Sequence, residues 1–226
     1  MEELMQRKTL YYVENYTVIL ADRIARKLLR YKPSTDADQI NQNVSYEHSS
    51  RVGNTAYQLA MHMIKTEPSK YASDLPQKAL VAGLLHDLGK SEMLDIVNKK
   101  ENLTAEEWAI LITHPERSLR IINECCPDIP PDIKEACLYH HFKLDGSGYP
   151  TCDRKPSILT QILSICDIYD AIRHPRSYKT AHTLEESLNI MENQDVAEGK
   201  LNAELFAAFK KIIVMYEKSA LHDIKN

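Results

Sequence analysis

The sequence predicts an all-α bundle, and three observations carry that expectation. Apolar residues recur mostly at three- and four-residue steps, the spacing of one face of a helix. Glycine is scarce, with six in 226 residues, and runs of strand-type alternation are short. Helix starts are marked repeatedly, by two capping-box pairs and by prolines placed where a helix would begin.

The first helix is expected over roughly residues 2–31, where Leu10, Val13, Tyr16, Ile19, Leu20, Ile24, Leu28 and Leu29 form one stripe. The polar run "KPSTDADQINQN" that follows reads as a linker or exposed loop. It separates an N-terminal helical extension and linker, residues 1–40, from a main body, residues 41–226. A helix over about 46–65 places Val52, Ala56, Leu59, Ala60 and Met63 on one face. "KALVAGLLHDLG" is apolar on most sides and predicts a central helix, with Gly89 as its C-terminal stop. Thr104 and Glu107 make a capping box for a helix over about 105–112. His114-Pro115 opens the next helix and "PPDIKEACLYHH" another. "SILTQILSICDIYDAI" is almost wholly apolar apart from its aspartates. Thr183 and Glu186 form a second capping box, and Asn202 caps a last helix through about 218. One functional loop remains, residues 143–156.

Composition narrows the function classes. The net charge of -4 and the lack of any interleaved basic and aromatic tract argue against a nucleic-acid partner. No apolar run approaches the roughly 20 residues that span a bilayer, and "MEELMQRKTLYYVENY" is too polar for a secretory signal. A cytoplasmic protein is expected. The five cysteines, Cys125, Cys126, Cys137, Cys152 and Cys166, include no C-x-x-C, so neither a disulfide framework nor a thiolate zinc site is expected.

The informative residues are histidines and aspartates in apolar surroundings. His48 lies near a helix start. His86-Asp87 ends the most apolar helix. His114 begins a helix, His140 and His141 end one, and Asp167 sits inside one. Each alone would pass as a cap or a satisfied core group. Burying several such groups together is costly without a common partner, and a metal supplies one. The set offers only nitrogen and oxygen, which suits iron, manganese or zinc in a hydrolytic site. Six or seven ligands exceed the needs of one ion with an open position. Two divalent ions about 3.5–4 Å apart, bridged by a carboxylate such as Asp87, would hold a bridging hydroxide and grip phosphate oxygens.

The order His48, His86-Asp87, Asp167 resembles the HD-domain metal-dependent phosphohydrolases. His114, His140-His141 and "DGSGYP" narrow the resemblance to the HD-GYP subfamily. "HSSRV", "LLHDLGK", "THPERSLRII", "HHFKLDGSGYP" and "CDIYDAI…RSYK" occur in the family's order, over about residues 44–180. The resemblance implies an HD-domain helical bundle and hydrolysis of cyclic di-GMP to pGpG, with GMP after a second cut. It implies that His48, His86, Asp87 and Asp167 bind the first metal, with Asp87 bridging, and that His114 and His140 complete the second. His141 would be a further ligand or a neighbour of the centre. Lys90 would meet a phosphate oxygen or a leaving alkoxide. Asp170, Arg176 and Lys179, with Gly148 and Tyr149 of the loop, would lie by the substrate.

Departures from the family pattern matter. Val44 stands where members with three metals carry glutamate, so two ions, most simply iron or manganese, are expected. Ser118 replaces a glycine, Phe142 an acidic residue, and Ser177 a proline. Two alternatives stand beside the main expectation: a phosphohydrolase acting on another cyclic dinucleotide or a nucleotide, and a cyclic di-GMP-binding module without turnover. Residues 1–40 would form a helical cap or a homodimerisation arm.

Overall fold

The computed structural model describes residues 18–25, 44–174 and 181–223, and among them no strand occurs. The helices are α1 (18–25), α2 (Val44–Thr66), α3 (Leu75–Leu85), α4 (Leu94–Val97), α5 (Ala105–Leu111), α6 (His114–Cys125), α7 (Pro131–Tyr139), α8 (Ile158–Arg173), α9 (Leu184–Met191) and α10 (Ala203–Asp223). A short 3-10 helix, Leu88–Glu92, follows α3, and a π turn, Glu192–Val196, follows α9. No helix among the described residues is long and apolar enough to cross a membrane.

The ends of these helices follow the expected chemistry. Thr104 and Thr183 each accept from the backbone N–H three residues on, and Glu107 and Glu186 each reach back to the capping residue's own N–H. Asn202 Oδ1 accepts from Leu205 N at 3.0 Å at the head of α10. Ser157 caps α8 through Thr160 N. Pro76, Pro115 and Pro131 lie in the first turns of α3, α6 and α7, where a missing N–H costs nothing.

The core forms where α2, α3 and α8 meet. Gly53 of α2 and Gly83 of α3 make the crossing possible, since a Cβ on Gly83 would lie 2.3 Å from Gly53 Cα. Val52, Ala56, Leu59, Ala60 and Met63 are buried as expected. Leu85, Ile162, Leu163 and Ile165 complete the centre, and Phe206, Phe209 and Ile213 close it from α10. Arg173 donates to both carboxylate oxygens of Glu217 at 2.9 and 3.0 Å, tying α8 to α10.

Three expectations need correction. The central helix ends at Leu85, and the chain passes Asp87 into the 3-10 helix, so Gly89 is not a helix stop. Gly89 is required for another reason: a Cβ there would stand 2.2 Å from His114 O. The last helix runs to Asp223, beyond 218. In α1, Ile19 is 51% exposed while Ala21 and Ala25 are fully buried, so small residues set the buried stripe. The rest of the expected first helix and the linker lie in 1–17 and 26–43, outside the described residues, as does most of the suggested dimerisation arm.

Candidate metal centre

Helix ends bring the site together. His48 comes from the second turn of α2, His86 and Asp87 from the turn after α3, and His114 from the first residue of α6. His140 and His141 follow α7, and Asp167 projects from the middle of α8. His48, His86, Asp87, His114, His140 and Asp167 are all buried; His141 is half-buried.

The histidine tautomers are set locally. His86 Nδ1 lies 2.8 Å from Gly83 O, His114 Nδ1 2.8 Å from Leu111 O, and His140 Nδ1 2.7 Å from Cys137 O. Each partner is the carbonyl three residues back, and a carbonyl only accepts, so each Nδ1 carries hydrogen and donates. His48 Nδ1 donates to Asp170 Oδ2 at 2.7 Å. In these four rings, when neutral, Nε2 is therefore a bare lone pair. His114 Nε2 stands 3.3 Å from His140 Nε2 and 3.2 Å from His141 Nε2. The lone pairs of His114 and His140, so close, repel unless a cation lies between them. His48 Nε2, His86 Nε2 and Asp87 Oδ1 have no hydrogen-bond partner although buried. Orphaned acceptors that converge are what a metal ion satisfies.

The carboxylates face two ways. Asp87 Oδ2 is 3.5 Å from His48 Nε2 and 3.4 Å from His86 Nε2, while Oδ1 is 3.2 Å from His114 Nε2 and 3.9 Å from His140 Nε2. Asp167 Oδ1 lies 3.0 Å from His48 Nε2, and Oδ2 lies 3.9 Å from His141 Nδ1. Three ligand sets thus have donor atoms within 4.8 Å of one another: His48, His86 and Asp87; His86, His140 and Asp167; His114, His140 and His141.

Electrostatics divides the same groups. Burial would raise Asp87, but His86, Lys90 and His114 outweigh it and hold the carboxyl well below the usual range. Asp167 is likewise held down, by His48 and His86 against burial. Burial pushes His114, His140 and His141 down, keeping them neutral. Burial also disfavours charge on His86, yet Asp87 and Asp167 raise it to about 10.

The surrounding residues lock this geometry. Lys90 Nζ donates to Asp87 Oδ2 at 2.6 Å. Ser118 Oγ donates to His86 O at 2.7 Å and accepts from Gly89 N at 2.8 Å, pinning α6 to the His-Asp turn. Asp170 is buried behind His48. It accepts from Arg51 Nε at 2.6 Å and Arg51 Nη2 at 2.9 Å, and His174 Nδ1 lies 3.0 Å away. Burial would raise Asp170, but nearby His174, His48 and Arg51 keep it ionised, far below the ordinary range. The expected substrate contact at Asp170 thus meets a carboxylate already engaged on both oxygens. Arg51 and Ser118 were missed as contributors. A signal existed for Arg51: it follows His48 by three residues, as Asp170 follows Asp167.

The loop is stitched to itself. Lys143 N donates to Ser147 O at 2.9 Å, and Asp145 Oδ1 accepts from Ser147 N and Oγ. Gly148 has φ +90°, and a Cβ there would lie 1.9 Å from His141 O, so its bareness serves the close approach of loop to ligand helix. Tyr149 then rests with its ring centroid 4.7 Å from that of His141. Phe142 is buried and meets the Tyr139 ring edge-on at 6.4 Å. Lys143 Nζ donates to Ser164 Oγ at 3.0 Å. Arg176 and Lys179 lie in 175–180, outside the described residues, and of Val44 only the backbone is described. Glu47 is exposed, away from the centre.

Known proteins resemble this chain to different extents. A Pseudomonas aeruginosa protein named a cyclic di-GMP phosphodiesterase is 31% identical over 209 residues, covering 89% of this chain and 48% of the relative. A Vibrio cholerae protein named 3'3'-cGAMP-specific phosphodiesterase 2 is 40% identical over 109 residues, 46% of this chain and 21% of the relative. The chain therefore spans about half, or less, of the length of these curated relatives. A solved structure of an HDG"Y"P protein from Bdellovibrio bacteriovorus matches with a TM-score of 0.59 at 15% identity, covering 94% of this chain and 67% of that one, which shows a shared fold. The HD domain family model matches residues 20–198, and with its six buried site groups inside that span, the chain belongs to the HD domain family.

Proposed function

We propose that the chain is an HD-GYP-type phosphodiesterase that hydrolyses cyclic di-GMP to pGpG, and to GMP after a second cut, at a centre of two divalent ions. One observation carries this reading: the two oxygens of Asp87 face different histidine sets, one toward His48 and His86, the other toward His114 and His140. A carboxylate so placed suits a bridge between two ions. His48, His86, Asp87 and Asp167 would hold one, and His114, His140 and Asp87 the other, with His141 beside it. Iron or manganese fits the all-nitrogen-and-oxygen set. Bound there, such ions activate water and neutralise charge on a phosphodiester.

The chain's own groups supply the rest. Lys90, within hydrogen-bond reach of Asp87, offers an ammonium to a phosphoryl oxygen or to the departing 3′ oxygen. Burial, then Asp167 and Asp87, push the Tyr149 hydroxyl up, so it stays a protonated donor facing the site. Asp170 acts through His48 rather than on substrate: with Arg51 it orients the imidazole and keeps its Nε2 free. Gly148 seats Tyr149, and Arg176 and Lys179 are assigned to the substrate phosphates.

The test is anaerobic purification with metal analysis, followed by product analysis of cyclic di-GMP with iron or manganese. About two metals per chain and release of pGpG are expected, and Asp87→Ala should lose metal and turnover together. Full activity of a metal-reconstituted Asp87→Ala protein would overturn the assignment. The Vibrio cholerae relative favours a second substrate, 3'3'-cGAMP. Faster turnover of that dinucleotide in the same assay would select it. Tight binding without hydrolysis under either metal would mark a receptor module instead.

A further inference from the structure

Next to the metal centre, α5 carries an aromatic that the core does not use. No residue of α5 is buried. Trp108, the chain's one tryptophan, is 51% exposed. It meets Tyr149 at a ring-centroid distance of 6.4 Å and an interplanar angle of 83°. Tyr149 in turn lies 4.7 Å from His141 and 6.2 Å from His114. The rings make an unbroken aromatic wall from the buried imidazoles to solvent, with the indole at its outer end.

The wall is held in place. The capping box of Thr104 and Glu107 fixes the first turn of α5, and Lys99 Nζ donates to both oxygens of Glu107 at 2.8 Å. Ile112 and Thr113 alone join α5 to α6, whose first residue is His114. Trp108 is thus tied through a short, capped helix to a residue of the metal centre. A large aromatic left half exposed at such a point is no part of the hydrophobic core.

We propose that Trp108 is the stacking platform for a purine base of the substrate, with Tyr149 forming the inner part of the same wall. The inference rests on the phosphodiesterase reading. In a cyclic dinucleotide each base hangs one ribose from a phosphodiester. A phosphodiester held at the centre therefore presents a base beside it, and a flat, exposed indole is the surface a base seeks. Stacking reads the breadth of the ring rather than its hydrogen-bonding edge. This subsite accepts guanine and adenine alike and holds pyrimidines more weakly.

A single tryptophan makes the test direct. Manganese-loaded protein is titrated with a non-hydrolysable bis-phosphorothioate of cyclic di-GMP while tryptophan emission is followed. Saturable quenching is expected, with protection from acrylamide, and weaker quenching by the cyclic di-UMP counterpart. Trp108→Ala should raise KM for cyclic di-GMP about tenfold while kcat stays within about twofold. Trp108→Phe should recover most of the loss, and it serves if the alanine variant folds poorly. Hydrolysis of cyclic di-GMP with unmoved emission and an unchanged KM would overturn the stacking platform and leave the phosphodiesterase reading intact. Neither binding nor hydrolysis of any cyclic dinucleotide would overturn both. A fall in kcat and metal content, with KM unchanged, would make Trp108 a prop for Tyr149 and also end the proposal.

Discussion

Asp170 stands behind a candidate ligand, joined to it by one hydrogen bond. Its carboxylate binds His48 Nδ1 on one side and Arg51 on the other. Asp170→Asn would offer the imidazole an amide in place of a charged acceptor, weakening the hold on its tautomer. Metal affinity should fall about 10–100-fold, as for other outer partners of metal-binding histidines, with the circular dichroism spectrum unchanged; metal titration of the variant checks this. An unaltered affinity would show that Asp170 does not orient His48. Gly89 makes a different point. Any side chain there meets His114 O and Ser118 N, so Gly89→Ala should cost about 1–3 kcal/mol as overpacking, read from urea unfolding. The expected role of Gly89, a helix stop, named the correct residue for the wrong reason. Sequence shows where glycine stands but not which backbone approaches it.

At the scale of elements, the helices were legible because their physics is local. Capping boxes at Thr104 and Thr183 and prolines at helix starts depend on residues a few positions apart. The end of α3 was not legible. Leu88 is as fully buried as Leu85, so the apolar pattern runs on where the hydrogen bonding changes, and periodicity alone cannot mark the break. The tie between Arg51 and Asp170 spans 119 residues and depends on how α2 crosses α8, which no local pattern records. The tie of α8 to α10 also carries a pH dependence. Burial would raise Glu217, but Arg173 and Tyr169 outweigh it and lower its pKa from 4.5. Because the folded value is depressed, this stabilisation is present above the unfolded glutamate's pKa. It is lost as pH falls through the folded value. Glu217→Gln should therefore lower Tm at pH 7 and make little difference at pH 3, as measured by thermal unfolding at both. An equal loss at both pH values would assign the effect to packing.

Across the whole molecule, the candidate ligands were legible because histidines and aspartates set in apolar helices are costly to bury without a common partner. His48, His86, Asp87, His114, His140 and Asp167 all reach one buried cluster. What the sequence hid was the scaffold around them, Ser118, Gly53 and Gly83 among it, where ordinary residues matter only through tertiary approach. The core of α2, α3, α8 and α10 is built without the cluster. Chelator-treated protein should therefore keep its helical spectrum and a cooperative melt, with Tm lowered only by the lost binding free energy. Collapse of the helical signal on chelation would show that the ions hold up the fold.

Three of the imidazoles take their orientation from a carbonyl in their own preceding turn, before any ion arrives. A pocket preset in this way selects by size and geometry, and cannot separate ions that match in both. Discrimination among divalent ions with similar ligand preferences then passes from the fold to the surroundings. In the proposed centre, the ion carried would then follow the supply around the chain, and the metal content of protein made under iron or manganese limitation would report that supply.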